Sequence, residues 1–454
     1  MEKIKISPPP GPLELVRRLE AAGHEAWAVG GCVRDSLLGL APQDWDLCTA
    51  ALPEEMEAAF AGLRVIPTGI RHGTLTVFPP EGPPCEVTTF RVDGPYSDRR
   101  RPDRVEFVSS LEADLARRDF TVNAMAWSPS RGLADPMGGR EDLAARVLRC
   151  VGEPEKRFEE DPLRILRGVR FSAWYGLAPH PATAAAIHRE KGLLRSVARE
   201  RIFAEISRLL CAPGESLEPV LREFWDVLAS LPGLSCLEPM AGYGQGNPHH
   251  TLDLRDHTIR AAASVPPRLP LRLAALLHDA GKPLCRTVDG KGVAHYYGHA
   301  KESARLAEEA LWALRCGGTL RKKVVQLVEL HDLWLPPTPA VARRWLGKLG
   351  EEQLRDLLAL ERGDTLAHAP GDQAPRLARL AEWEALTDQV IREKECLSLR
   401  DLAVDGKDLM ALGFAPGPAL GKALRALLEG VVEGRLPNEK DALLAQAREY
   451  LSES

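Results

Sequence analysis

Hydrophobic positions along the first 140 residues change period several times. Leu13, Leu15, Val16, Leu19 and Ala22 fall near helical spacing and predict a helix over 12–22. The apolar run Ala26-Trp-Ala-Val29 then reaches a Gly-Gly turn, with a helix predicted from near Val33. Pro53 occupies a first helical position of an amphipathic helix over 53–60, and short strands are predicted at 64–67, 73–78 and 85–90. Strands and helices alternating in so short a span suit a small mixed α/β head domain. From Glu141 onward the pattern is helical. Breaks at 212–214, 265–270, 335–339 and 370–375 serve as linker markers, and neither fixed-period repeats nor low-complexity segments occur.

A chain of 454 residues exceeds one hydrophobic core. The expected division is a head over 1–140, a neck over 141–213, a helical body over 214–400 and a helical tail over 401–454, together an elongated, multidomain and mostly helical protein. No apolar run approaches the ~20 residues of a membrane span. The first residues, Met-Glu-Lys-Ile-Lys-Ile-Ser-Pro, lack an apolar signal core, and the expectation is a cytoplasmic protein with no membrane partner. Nine cysteines without a Cys-x-x-Cys pair predict reduced thiols rather than a disulfide framework or zinc ribbon. The formal charge of −5 gives no global nucleic-acid footprint, so a polyanionic partner must meet local basic surface. Arg99-Arg-Arg101 with Arg104, the segments 157–170 and 195–208, and Arg321-Lys-Lys323 are the candidates, although any one such run is more often a solvated face than a binding patch.

Chemistry concentrates first around Gly30-Gly31 and Asp44-Trp-Asp46. If Asp44 to Leu47 is a strand, its period of two puts both carboxylates on one face and Trp45 and Leu47 on the buried one. Mg²⁺ takes hard oxygen ligands, commonly one or two protein carboxylates, and leaves its other positions to water and phosphates. A backbone without Cβ can approach a phosphate closely. Glu86, on the third predicted strand, is either a further acid near the metals or a solvent-facing side chain.

The ordered signature Gly30-Gly31-x-Val33-Arg34-Asp35 with Asp44-x-Asp46 resembles the class II branch of the nucleotidyltransferase superfamily, that is, tRNA CCA-adding enzymes and bacterial poly(A) polymerases. Under that resemblance, Asp44 and Asp46 hold Mg²⁺ with Glu86 nearby, and Gly30, Gly31 and Arg34 cradle phosphates. Arg117-Arg-Asp-Phe-Thr-Val-Asn-Ala124 matches a second motif, in which Arg117, Arg118, Asp119 and Asn123 bind triphosphate and ribose. Asp135-Pro-Met-Gly-Gly139 matches a third, a tight turn between head and neck, and the Gly-, Pro- and Arg-rich stretch 89–102 resembles the family's flexible loop.

Glu159 to Phe171 reads as one helix with Pro162 in its first turn and Asp161 and Arg164 on one face. A carboxylate accepts from the exocyclic amine shared by cytosine and adenine, and a guanidinium donates to cytosine N3 and O2 or adenine N1. Uracil and guanine present a carbonyl and a ring N–H there instead. Spacing alone equally allows an ordinary helix-stabilising ion pair. The match of Glu160-Asp161-x-x-Arg164 to the family's protein-template motif, with Arg167 and Arg170 as further nucleotide-binding candidates and Glu200-Arg-Ile-Phe-Ala-Glu205 as the neck motif, implies the base-reading role.

A second constellation lies in 245–364, where His278-Asp279 ends the apolar helix 271–277 and unpaired polar groups would be costly. Its order resembles the HD-domain phosphohydrolases. That resemblance implies His257, His278, Asp279 and Asp364 as ligands of a divalent metal, with Asp332 competing for the last place and His299 and His331 serving a second metal or a phosphate. Whether this region hydrolyses phosphoesters or only shapes the body stays open at this point. The Gly- and Pro-rich turn 413–418 is read either as meeting an RNA backbone or as a packing turn.

The combined expectation is template-independent addition of CMP and AMP, from CTP and ATP with Mg²⁺, to the 3′ end of tRNA, recognised by shape along its acceptor arm. Alternatives are an A-adding or CC-adding enzyme, a poly(A) polymerase, a metal phosphohydrolase with a vestigial head, and a non-catalytic tRNA-binding protein. Oligomeric state is not legible.

Overall fold

A computed structural model describes residues 6–94, 96, 104–333, 335–393 and 395–452. The chain separates into two compact units, 1–235 and 236–454.

The first unit is built on a seven-stranded sheet. In chain order its strands are β1 (Ala26–Val29), β2 (Leu47–Thr49), β3 (Arg64–Gly69), β4 (Thr74–Phe78), β5 (Cys85–Thr89), β6 (Ala126–Ser128) and β7 (Gly132–Ala134), arranged β3-β4-β5-β2-β1-β6-β7. All four residues of β1 are buried, as its near-continuous apolar run requires of an inner strand. On β4 only Leu75 and Val77 are buried, the alternation of a strand with one face on the core. Helix Pro10–Ala21 starts with prolines, which need no N–H there, and buries Leu15, Val16 and Leu19. Trp27, Val29, Cys48, Phe90, Leu115 and Ala126 share one core cluster.

Several expectations are refined. Asp44 to Asp46 lies outside any strand, and β2 begins only at Leu47. The predicted alternation survives, with Asp44 and Asp46 exposed and Trp45 and Leu47 buried. The stretch 89–102 opens with a strand, Arg91–Asp93, paired antiparallel to Val105–Phe107. Its remainder at 95 and 97–102, including Arg99-Arg-Arg101, lies outside the described residues. The single helix expected over 159–171 is two, Pro154–Glu160 and Leu163–Tyr175. Pro162 lacks the N–H that would carry a continuous helix, and Asp161 before it takes an extended conformation. The turn at 135–139 is held by Asp135, whose carboxylate accepts from the N–H groups of Gly139 (2.7 Å) and Arg140 (2.8 Å).

The second unit is helical. Helix Leu254–Ser264 packs on Glu351–Ala367 and on Leu269–Leu277, and His299–Ala313 packs on Gly318–Leu330. Leu269–Leu277 is apolar apart from Arg272 and is buried along 271–277. Pro370 to Pro375 is not a linker: it forms the first turns of helix Pro370–Arg392, whose Trp383 packs with Trp345 of Pro339–Leu349. Pro370 sits where a helix start tolerates proline, and this is why a Pro-rich stretch misleads. Helices Gly406–Ala411, Pro418–Val432 and Lys440–Ser452 enclose a smaller core of their own around Leu409, Leu427 and Leu443.

Candidate active site

β2 and β5 run parallel, with Leu47 opposite Val87. Asp46 and Glu86 each precede those partners by one residue, so the register carries both acids on neighbouring backbones, a strand spacing of ~4.8 Å apart, with both residues exposed. The Val29 N–H donates to the Asp46 carbonyl (2.9 Å), tying the acidic segment to the end of β1. Asp46 has exposed surface, yet the protein crowded around its carboxyl, then the charges of Asp44 and Glu86, push it up to about 6 against the opposing pull of Arg118. Hard carboxylate oxygens that repel one another in the absence of a cation suit a divalent metal.

Beside them the chain turns through Gly30, at φ +81°, into helix Gly31–Leu37. The positive φ is what favours glycine here, and a Cβ on Gly30 would in addition stand 3.1 Å from Nη1 of Arg118. Arg34 is nearly buried: it donates to Asp35 (2.7 Å), to Tyr175 (2.6 Å) and to the Asn123 side-chain oxygen, and lies over the Tyr175 ring at 4.2 Å. Arg117 and Arg118 both donate to the buried Asp114, at 2.8 and 3.2 Å. Asp119 accepts from Asn123 (3.0 Å) and twice from Arg167 (2.8 and 2.6 Å). Burial works to raise Asp119, but the Arg167 charge and the Asn123 hydrogen bond hold it well below the usual carboxylate range. Arg170 pairs with Glu205 of the neck motif at 2.6 Å. The second motif therefore forms an internal network that fixes the guanidiniums, rather than a row of side chains without partners.

A cavity of about 400 Å³ opens next to this network, lined among others by Glu86, Arg117, Tyr96, Asp161 and Arg164. Asp161 and Arg164 do not pair with each other through their side chains. Asp161 accepts from the Leu163 N–H and from Arg201, both at 3.1 Å, while Arg164 donates to Glu160 (2.6 Å) and to the carbonyls of Arg157 (3.2 Å) and Arg117 (3.1 Å). Arg201 and Glu160 thus aim the two side chains, and Asp114 aims two of the arginines. The sequence motifs assign none of these three a role. The one legible signal was that Arg201 and Glu160 sit inside the two motifs already noted.

Among the described residues, two groups of His and Asp have ligand atoms within 4.8 Å of one another: His257, His278, Asp279 and Asp364, and Asp279, His299 and His331. Asp44, Asp46 and Glu86 are not drawn together that closely. His257 Nε2 lies 2.9 Å from Asp364 and 3.3 Å from Asp279, and His278 Nε2 lies 3.2 Å from Asp279. His257 Nε2, His278 Nε2 and one Asp279 oxygen are buried without a well-formed hydrogen bond, an arrangement that favours a cation between them. Burial opposes a charge on His278, but Asp279 outweighs it and lifts the imidazole to about 10. Asp364, not the largely exposed Asp332, stands with the histidines; Asp332 reaches only His299, at 3.8 Å. Lys282 donates to Asp279 at 2.6 Å.

Comparison with known proteins agrees with the head geometry. Residues 26–149 match the Poly A polymerase head domain, 176–217 the RNA and SrmB-binding site of polymerase A, and 300–447 the tRNA nucleotidyltransferase domain 2. The chain is 35% identical over 440 residues to the CCA-adding enzyme of Latilactobacillus sakei, covering 96% of this chain and 97% of that one. It is 34% identical to that of Geobacillus stearothermophilus, with 95% of each covered. Among solved structures, the Bacillus stearothermophilus CCA-adding enzyme in complex with CTP superposes at a TM-score of 0.68, with 30% identity and coverage of 98% and 99%. The Thermotoga maritima CCA-adding enzyme complexed with tRNA shares the fold at a TM-score of 0.59, with 20% identity and coverage of 97% and 94%. With a sheet that carries its acids in register and a likeness running nearly end to end, the chain belongs to the CCA-adding enzymes, a family of tRNA nucleotidyltransferases.

Proposed function

We propose that the head cleft adds CMP and AMP, from CTP and ATP, to the 3′ end of tRNA and releases pyrophosphate. The observation that carries this reading is the shared wall of the cavity: Glu86, beside Asp46, lines the same space as Asp161 and Arg164. A reacting phosphate and a base to be read therefore fit one nucleotide. Asp44 and Asp46, with Glu86 alongside, would hold divalent metal, which we take to be Mg²⁺ from the all-oxygen donor set. Bound there, it supplies charge neutralisation for the triphosphate and acidification of the terminal sugar hydroxyl. Gly30, Gly31 and Arg34 shape the phosphate side, while Arg117 and Arg118, held by Asp114, offer fixed positive charge. Asp119 and Asn123 act by orienting Arg167 and Arg34. Asp161 accepts the exocyclic amine and Arg164 donates to the ring, so CTP and ATP are chosen without a template. The neck over 141–213 carries this pair, and the body and tail, 214–400 and 401–454, meet tRNA along its acceptor arm. Among the described residues no helix is long and apolar enough to cross a membrane, and we place the activity in the cytoplasm.

Supplying tRNA truncated by one, two or three nucleotides with each NTP singly tests the reading. Stepwise C, C and A products are expected. Only A added to the one-nucleotide truncation would make the chain an A-adding enzyme, C addition without A a CC-adding one, and long A tails a poly(A) polymerase.

The second unit supports a separate reading. We propose that His257, His278, Asp279 and Asp364 hold one divalent transition metal, and that Asp279 with His299 and His331 holds another, because mixed imidazole and carboxylate donors suit such ions. Elemental analysis of the purified chain should find metal that a His257→Ala/His278→Ala variant lacks; equal content in both would dismiss the site.

A further inference from the structure

Past the acids, the head sheet continues from β5 to β4 and β3. Thr76 of β4 stands directly opposite Glu86 of β5 in their antiparallel ladder. Opposed residues project from the same face with Cβ atoms ~5 Å apart, so a hydroxyl follows the acid along that face. On the next strand Thr68 places its Oγ1 at 2.8 Å from Thr76 Oγ1. Thr76 is half-buried and Thr68 exposed, and Thr68 and Thr74 line the head cavity together with Glu86. Threonine is common on strands, and a cross-strand threonine pair is an ordinary sheet contact. The place of this pair gives it a further use. In phosphoryl transfer the attacking and leaving oxygens lie roughly in line. Gly30, Gly31 and Arg34, at the end of β1, shape the phosphate side, and β2 and β5 come next in the sheet with Asp46 and Glu86. An attacking sugar therefore comes from beyond the acids, over β5 and β4, where Thr76 and Thr68 lie. One O–H of the hydroxyl pair is spent within it, which leaves the other O–H to donate and lone pairs to accept. The 2′-hydroxyl, neighbour of the attacking 3′-hydroxyl, is itself both donor and acceptor and is the group that tells RNA from DNA.

We propose that Thr76, paired with Thr68, binds the 2′-hydroxyl of the terminal nucleotide being extended and so selects a ribose terminus over a deoxyribose one. The proposal deepens the reading of the head cleft and rests on it. Thr76 is on this view a specificity-determining residue for the strand that grows, separate from Asp161 and Arg164, which choose the nucleotide that enters.

The test uses the full chain with Mg²⁺, ATP and tRNA lacking its last nucleotide, whose terminal sugar is either ribose or 2′-deoxyribose. The unaltered chain should extend the ribose terminus at least about fivefold faster, the worth of one neutral hydrogen bond. Thr76→Val keeps the branched shape and strand preference but lacks the hydroxyl, and it should lower that ratio about fivefold. Thr76→Ser, which keeps the hydroxyl, should hold the ratio of the unaltered chain. No preference in the unaltered chain overturns the proposal, as does an equal ratio in Thr76→Val and the unaltered chain. A Thr76→Val effect confined to the choice of ATP over 2′-deoxy-ATP overturns it too, because the hydroxyl would then meet the incoming sugar. The head reading fails separately, if the unaltered chain extends neither terminus; the dissociation constants of the same two tRNAs, measured without nucleotide on the same variants, then still decide whether the terminal sugar is read.

Discussion

At the scale of single residues, the proposed function divides the head cleft into groups that would meet substrate and groups that aim them. Asp46 is of the first kind, and Asp46→Asn should lower CMP incorporation by at least about 10²-fold, the loss seen when a site gives up one major source of charge stabilisation, with the melting temperature little changed. Arg201 is of the second kind. It holds one oxygen of Asp161, so Arg201→Ala should loosen base choice more than rate. We expect the ratio of UMP to CMP incorporation to rise about tenfold, the worth of one hydrogen bond to a charged group, when measured with single NTPs on truncated tRNA. Asp119 makes a stability prediction. Its carboxyl is depressed in the folded chain, so its contribution is present above the unfolded value near 4 and is lost as pH falls toward the lower folded value. Asp119→Asn should destabilise the first unit by about 2 kcal/mol at neutral pH, moderated because Arg167 keeps some contact with water. The gap in denaturant midpoint should persist down to about pH 4 and narrow below it.

At the scale of elements, the turn leading into helix Gly139–Ala144 leaves no room for a side chain. A Cβ on Gly139 would lie 2.2 Å from the Thr121 carbonyl oxygen, which belongs to backbone and cannot swing aside. Gly139→Ala is therefore expected to destabilise by about 1–3 kcal/mol, the range for overpacking, and thermal melts should show it in the first unit. The same scale shows how far sequence patterns reach. Apolar runs located the sheet strands because burial and period agree there, as on β4 with Leu75 and Val77. The alternation of Asp44, Trp45 and Asp46 was readable even though no ladder forms, since Trp45 must be buried whatever the hydrogen bonding. Proline was less informative. Pro162 lies between two helices and caps the second, whereas Pro370 and Pro375 both lie in the first turns of one long helix, and the presence of proline alone does not tell these cases apart. The residue types of the histidine–aspartate cluster were legible one by one, but the choice of Asp364 over Asp332 required the fold, because it depends on helix Glu351–Ala367 packing on Leu254–Ser264.

At the scale of the whole molecule, the chain divides into two compact units, each with its own candidate site, and unfolding should not follow a single two-state curve. A ligand that binds one folded unit stabilises that unit by mass action. Mn²⁺ at a hundred times its dissociation constant should add about 2.7 kcal/mol to the unit holding the cluster. Scanning calorimetry should show one transition moving upward with Mn²⁺ in the unaltered chain and staying in place in His257→Ala/His278→Ala.

The parallel register of β2 and β5 has a mechanical consequence. The spacing of the backbones that carry Asp46 and Glu86 is ruled by the peptide lattice, not by the fit of the side chains beneath it. Exchanging one aliphatic group for another under those strands changes how stiffly the ruler is clamped while leaving its divisions alone. A slip of one residue between the strands would instead turn Glu86 to the opposite side of the sheet, removing an acid from the cleft with every atom of the protein still present.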